Sequence, residues 1–435
     1  MPYVLPSAPT IQLALDFLNL DQAVRAAEEA VPAGITWIEA GTPLIKSEGL
    51  RVLRVLRERF PTACLVGDLK TMDAGRVEVD AVHRSGADVA MVLAVASDAT
   101  IRECVEAGKH LGIAIGCDLV ACADPAKRAR EVEALGVDLV SVHTPIDQQM
   151  EGRDGFAVLK EVAAAVSIPV SCAGGLSPAT IPKALANGAT ICIVGGAVTK
   201  APDNLAAAQA CVAALSGSSS GDQQLYQRKG LDDIREVLAK VSSSNISDAL
   251  HRGGAIVGLS DRNPGLTLCG PAVTVVAHPG DWSKPVQAID HCKPGDVLVI
   301  DAAGRSPALW GGLATRTAAM RKLGGVIIDG ACRDLEEIIG STVPVWSTLT
   351  CPNAGEPHGI GAIGVTAQIG GQQIKPGDWI VGDASGLVVI PAARIVDVAN
   401  RAQDIMEREQ RYAAEIDKGR TLADIAELSR WEKQA

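Results

Sequence analysis

The stretch VGDLKTMDAG, residues 66–75, sets Asp68, Lys70 and Asp73 at the mouth of a predicted strand, two carboxylates and an ammonium that an apolar core would not accept unpaired. Asp16, Glu39 and His143 end other apolar segments in the same way. Glu39 and Asp68 suit a hard divalent cation such as Mg2+, which takes oxygen ligands and keeps waters that substrate oxygens can replace. Lys70 offers a compact positive charge for a developing enolate. His143 offers an imidazole, with an unperturbed pKa of roughly 6.5, for moving protons at neutral pH. Each residue alone has a plainer reading, since an Asp at a strand end is usually a turn former or helix cap and a lone His is usually structural. Their recurrence in register points instead to one cavity.

The elements that must position them follow a simple grammar. Between Gln12 and Leu215 a short apolar strand, a polar turn and an amphipathic helix recur eight times. The predicted strands cover 12–17, 37–41, 63–69, 89–95, 113–119, 139–143, 169–173 and 190–195, with helices such as 21–30, 49–59, 100–111, 126–134 and 155–166 between them. Eight such units in about 200 residues predict a (β/α)8 barrel, a TIM barrel in an α/β chain, with a doubly wound sheet as the alternative. Strand ends on one barrel rim converge on one cavity. Gly174 and Gly175 follow the seventh strand, and Gly195 and Gly196 the eighth, where backbone amides can approach a phosphate. Paired glycines are also ordinary turn chemistry, but at these two strands they predict a phosphorylated substrate.

The segment SGSSSGDQQLYQRKG, residues 216–230, drops to small and polar residues and reads as a linker, so that a first domain covers 1–215 and a second 231–435. A helix over 231–240 and an N-cap near 245–247 are predicted, followed by glycine-rich strands and a closing helix over 392–418. KPGDVLVIDAAG at 293–304 and KPGDWIVGDASG at 375–386 resemble each other, each a Pro-Gly turn entering a strand that ends in Asp. In GGVIIDGACRDLEEI a strand ends in Arg333 and Asp334, which as a pair could equally be a solvated helix cap. WGGLAT opens another helix at Gly311, Gly312 and Leu313, whose backbone amides suit a carboxylate.

Composition narrows the class. The 435 residues exceed one ordinary core and predict two domains. With 47% hydrophobic but only 3% aromatic residues, the cores should be aliphatic. A formal charge of -11 and the lack of a Lys/Arg cluster speak against nucleic acid as a partner, leaving small molecules. Eleven cysteines, among them Cys64, Cys117, Cys192 and Cys269, sit singly in apolar segments without a CxxC pair, as reduced core residues do. No basic leader and no run of roughly 20 apolar residues is present, so the expectation is a cytoplasmic protein with no membrane partner.

Two resemblances then stand out. QLALDFLN, IEAGTPLIKSEG, GDLKTMDAG, VHTPIDQQ, AGG and IVGGAVTKAPD resemble the 3-hexulose-6-phosphate synthases of the orotidine-monophosphate decarboxylase superfamily, over about residues 10–208. The resemblance implies a Mg2+-dependent lyase, with Mn2+ as an alternative ion, that joins formaldehyde to D-ribulose 5-phosphate to give D-arabino-hex-3-ulose 6-phosphate. Glu39 and Asp68 would hold the metal, Lys70 would stabilise the enediolate, His143 would move the proton and Asp16 would bind substrate hydroxyls. Asp73 would reach the neighbouring subunit's site in a homo-oligomer. Sister 3-keto-L-gulonate-6-phosphate decarboxylases carry an Arg where this chain has Ile146, which favours the aldolase.

SDAL at 247–250, GPAVTV at 270–275, PGDWIVGDASGLVVIP and the Arg333–Asp334 pair resemble the RraA-like family, over about residues 234–412. That family includes ribonuclease regulators and 4-hydroxy-4-methyl-2-oxoglutarate aldolases. The resemblance implies an α/β/α domain in which Asp334 holds Mg2+ and Arg333 clamps a pyruvyl oxygen. The acidic residue expected ahead of that pair falls on Gly312, which disfavours retro-aldol chemistry and leaves oxaloacetate decarboxylation, with Glu356, His358 or Asp329 as substitutes. A non-catalytic assembly or regulator module is the alternative for this half.

Overall fold

The computed structural model describes residues 5–6, 8–144, 155–217, 230–426 and 428. Of these, the residues up to 217 form one compact unit together with 407–426, and residues 230–406 form another. The contacts thus group 407–426, read from sequence with the second domain, with the first unit. Most of the predicted linker, and Ile146, lie outside the described residues.

Eight parallel strands close the first unit into a barrel in sequence order. They are β1 (Thr10–Leu15), β2 (Trp37–Ala40), β3 (Cys64–Thr71), β4 (Val89–Leu93), β5 (Ala114–Asp118), β6 (Leu139–His143), β7 (Val170–Ala173) and β8 (Ile191–Val194). Side chains alternate across each strand. Trp37, Cys64, Val66, Val89, Met91, Ala114, Leu139 and Ile191 therefore meet inside as an apolar plug, while Leu13, Leu15, Ile38 and Leu65 pack outward under the helices. Asn19, Ser97, Asp124 and Asp203 cap helices by accepting an N–H three residues on. Gly112 and Gly136 end two helices in the left-handed conformation that favours glycine. The helix predicted over 49–59 is joined by a separate one, Thr42–Glu48, and Gly49, at φ 70°, divides them.

The second unit is built on a ten-stranded mixed sheet and a small two-stranded one. Its strands are β9 (Ala255–Ile256), β10 (Ser260–Asp261), β11 (Leu268–Ala277), β12 (Val297–Asp301), β13 (Ala308–Trp310), β14 (Gly325–Cys332), β15 (Val345–Thr350), β16 (Gly361–Ile363), β17 (Ala367–Ile369), β18 (Gln372–Ile374), β19 (Trp379–Asp383) and β20 (Gly386–Ile390). The parallel centre runs β15-β14-β12-β11, and β19, β20 and β9 continue it antiparallel. Val297 and Val299 enter one core cluster and Leu298 and Ile300 another, which explains why a strand buried on both faces reads as an unbroken apolar run.

The two KPGD segments flank β11. In both, the Asp accepts the Lys backbone N–H, at 2.7 Å for Asp296 and 2.9 Å for Asp378, and the Gly takes φ 85°. The likeness ends there, because β12 runs parallel to β11 and β19 antiparallel. The predicted helix over 231–240 is a 3-10 turn, Leu231–Asp233, followed by Ile234–Leu238. The N-cap expected at 245–247 is Ser242, which exchanges a capping box with Asn245. The closing helix is Ile395–Asp417, preceded by the 3-10 turn Ala392–Arg394. All eleven cysteines are free and buried or half-buried. No helix among the described residues is long and apolar enough to cross a membrane.

Candidate active site

Period-two alternation carries the chemistry above the barrel plug. Glu39 stands two residues beyond Trp37, Asp68 two beyond Val66, Asp118 four beyond Ala114 and His143 four beyond Leu139. All four thus face the interior at the C-terminal ends of their strands. At β3 the pairing with β4 slips: Gly67 opposes Ala90 and Thr71 opposes Val92, so extra residues bulge out between them. Lys70 sits in that bulge at φ 51°, a left-handed conformation that L residues adopt at a cost.

The bulge lets the Lys70 ammonium reach two carboxylates, Asp68 Oδ2 at 2.7 Å and Asp118 Oδ2 at 3.2 Å. His143 Nδ1 lies 3.2 Å from the same Asp118 oxygen. Thr42 Oγ1 donates to Asp68 Oδ2 at 3.0 Å and to the Asp68 carbonyl at 2.8 Å. Gln12 Nε2 donates to Glu39 Oε2 at 2.5 Å. Asp16 shares this electrostatic neighbourhood with Asp68, Lys70 and His143. A Cβ on Gly41 would strike the Asp16 carboxylate, so that glycine makes room for it.

Crowded carboxylates in a buried place resist ionising. Burial raises the Glu39 carboxyl well above its ordinary range, and Asp68 and Asp16 push the same way. Burial raises Asp16 too, helped by Asp68. Asp118 goes the other way: burial would raise it, but the bond to His143 and the charge of Lys70 hold it below the usual range. Burial alone would lower the Lys70 ammonium, yet Asp68 and Asp118 hold it raised.

Asp68 Oδ1 is buried with no hydrogen-bond partner. An orphaned carboxylate oxygen beside a carboxyl that is costly to ionise fits a hard divalent cation, with Glu39 and Asp68 as ligands. Among the described residues no three His, Cys, Asp or Glu side chains could hold a metal by themselves. Two carboxylates would leave the other positions of such an ion to water and substrate oxygens. Gly174 and Gly175 take φ 110° and 70°, conformations that bare the backbone at the end of β7, and Gly195 and Gly196 open a short helix after β8. Asp73 stands apart: it is exposed, and its Oδ1 accepts the Ala74 N–H at 2.7 Å.

In the second unit Arg333 and Asp334 follow β14, with Arg333 Nε 3.6 Å from Asp334 Oδ2. Asp334 is left-handed at φ 57° and accepts the Gly312 N–H at 3.1 Å, so that amide already has a partner. Leu313 points into solvent, 80% exposed. A Cβ on Gly311 would sit 2.6 Å from Asp334 Oδ2, and one on Gly312 would strike the Glu337 carboxylate. Glu356 and His358 are exposed, and Asp329 accepts from Thr348 Oγ1 at 2.7 Å. Asp118, Thr42, Gln12 and Glu337 were not singled out in the sequence. For Asp118 the signal was there, an acidic residue ending the fifth strand as Glu39 and Asp68 end theirs.

Residues 9–211 match the family model described as Orotidine 5'-phosphate decarboxylase / HUMPS family, and residues 243–389 match the RraA-like model, Aldolase/RraA. The 3-hexulose-6-phosphate synthase of Methylomonas aminofaciens is 41% identical over 198 residues, 45% of this chain and 94% of that protein. The protein of that name from Mycobacterium gastri is 38% identical over 47% of this chain and 99% of its own length. The one from Bacillus subtilis (strain 168) is 38% identical over 44% and 92%. With the closed barrel and the rim cluster on the same segment, the chain belongs to the Orotidine 5'-phosphate decarboxylase / HUMPS family of lyases through its first unit, and carries an RraA-like domain in its second.

Proposed function

We propose that the barrel joins formaldehyde to D-ribulose 5-phosphate, reversibly, to give D-arabino-hex-3-ulose 6-phosphate. The observation that carries this reading is the chain of contacts Asp68–Lys70–Asp118–His143 beside the orphaned Asp68 oxygen. A divalent cation on Glu39 and Asp68, Mg2+ or Mn2+, would supply the Lewis acidity that makes the C1 proton of the ketose removable. With Nδ1–H given to Asp118, His143 keeps Nε2 as a proton acceptor. The Lys70 ammonium stabilises the oxygen that becomes negative as the enediolate forms. C1 then attacks the formaldehyde carbon, the C–C bond forms, and the former aldehyde oxygen takes the proton. Asp16 holds substrate hydroxyls, and the backbone at Gly174–Gly175 and Gly195–Gly196 holds the phosphate. Asp73, exposed in one chain, suits a site completed across a homo-oligomer.

The second unit, on this reading, binds a 2-oxo acid such as oxaloacetate, with Arg333 on the carbonyl and carboxylate oxygens and Asp334 on a divalent cation. The Arg333–Asp334 pair packed on bare Gly311 and Gly312 supports it. Formaldehyde consumption with ribulose 5-phosphate and Mg2+, measured for wild type, Asp68→Ala and Asp334→Ala, tests the assignment. Asp68→Ala should abolish it and Asp334→Ala leave it nearly intact, whereas equal loss in both would refute separate sites. Oxaloacetate loss should show the opposite pattern, and no metal-dependent turnover would leave the second unit as a scaffold.

A further inference from the structure

The glycine turn after β8 is held from outside the barrel. The Gly195 carbonyl accepts the Val198 and Thr199 N–H groups at 2.9 and 3.0 Å, and the Gly196 carbonyl accepts that of Lys200 at 3.1 Å, so residues 195–200 form one knot. Ala201 and Asn204, both buried, lead from that knot into the helix Asn204–Ala214. Asn204 Nδ2 donates to Glu29 Oε2 at 2.6 Å, on the helix Leu20–Ala30, while Asn204 Oδ1 is shut away from solvent with no partner among the described residues. Arg411, on the helix Ile395–Asp417, lines the same small cavity, and its Nη1 is likewise shut away without a partner. Residues 407–426 belong to the barrel unit. They meet the helix Leu20–Ala30 a second time where Gln22 Nε2 donates to the carbonyl of the buried Ile425 at 3.4 Å.

A buried donor and a buried acceptor, each costly while unmatched, thus line one cavity of about 10 Å3, enough for a single water and too small for a metabolite. We propose that Arg411 is a positioning residue for the phosphate end of the barrel: it holds Asn204 through one bridging water, and Asn204 in turn holds the stretch that bares Gly195 and Gly196. The inference rests on the reading of that turn as the phosphate holder. Lys200, at the end of the knot, lies within electrostatic reach of Asp16, so a shift of the turn reaches the sugar end as well. Lys70, Asp118 and His143 stand on β3, β5 and β6, away from this anchor, so proton transfer keeps its geometry when the anchor is cut.

In the full-length protein, Arg411→Met removes the donor and keeps an apolar stem. Steady-state formaldehyde fixation should show KM for ribulose 5-phosphate up roughly fivefold with kcat within about twofold, and the inhibition constant of inorganic phosphate should rise by the same factor. Arg411→Lys, which keeps a donor, should bring KM back to within about twofold of wild type. Lys418→Ala removes the same charge from an exposed position at the edge of the cavity and should leave KM unchanged. Asn204→Ala should raise KM at least as far as Arg411→Met, and adding Arg411→Met to it should raise KM no further, because both cut one bridge. Effects that multiply, or a KM and phosphate inhibition in Arg411→Met within about 1.5-fold of wild type, would overturn the role of Arg411 and leave the barrel reading standing. So would a fall in melting temperature with no change in KM. A wild-type protein that neither fixes formaldehyde nor binds ribulose 5-phosphate would overturn both.

Discussion

Asp118 Oδ2 lies 3.2 Å from His143 Nδ1, and the same oxygen lies 3.2 Å from the Lys70 ammonium. One carboxylate oxygen therefore orients both side chains to which the proposed reaction gives proton transfer and stabilisation of the negative oxygen. Asp118→Asn keeps the shape but loses the charge. Steady-state kinetics of formaldehyde fixation should show kcat down by roughly 100-fold with little change in KM, because substrate contacts lie elsewhere. An unchanged kcat would make the contact merely structural.

Glu39 predicts a metal-dependent sign change in stability. Its carboxyl is raised above 4.5 by burial and by Asp68, so the folded protein binds this proton more tightly than the unfolded chain. The stability that goes with that proton is fully present below about pH 4.5 and is lost as pH rises through the folded value. In chelator, Glu39→Gln should melt higher than wild type at pH 7 and alike at pH 4. Adding Mg2+ at pH 7 should then raise the melting temperature of wild type but not of the variant.

Gly41→Ala places a methyl group against the Asp16 carboxylate. The displaced Asp16 should weaken sugar-phosphate binding, raising KM roughly tenfold, about 1.4 kcal/mol, with kcat less affected. Isothermal calorimetry with ribulose 5-phosphate checks the binding directly.

Asp281 tests the second unit independently of its chemistry. It is 1% exposed; burial would raise its carboxyl, but bonds from Ser283 Oγ, the Ser283 N–H and the Ile360 N–H bring it down to about 2. A depressed value means stability present above the unfolded value of 3.8 and lost as pH falls through about 2. The drop corresponds to roughly 2 kcal/mol. Asp281→Asn should cost about that much in urea unfolding at pH 7, and its deficit should shrink between pH 4 and pH 2.

Much of the barrel was legible because eight apolar segments of similar length, each followed by a helix, leave few other ways to bury both faces. Strand ends also foretold where Asp16, Glu39, Asp68, Lys70 and His143 would gather. The slip between Gly67 and Thr71 was not legible, because a bulge is set by the pairing of two strands and leaves no periodicity in one. Glu337 was hidden for a related reason: its neighbour is Gly312, 25 positions earlier, and nothing local marks the two as touching. The matching KPGD turns suggested a repeat, but their strands run oppositely against β11, which only tertiary pairing decides.

The left-handed backbone of Lys70 sets fold and chemistry against each other at one residue. Glycine would relieve roughly 1 kcal/mol of strain there but would bring no ammonium to Asp68 and Asp118. Glycine would also leave the buried Asp68 and Asp118 carboxylates without their cation, which costs more than the strain it removes. Engineered stabilisation of this barrel should therefore begin anywhere but position 70.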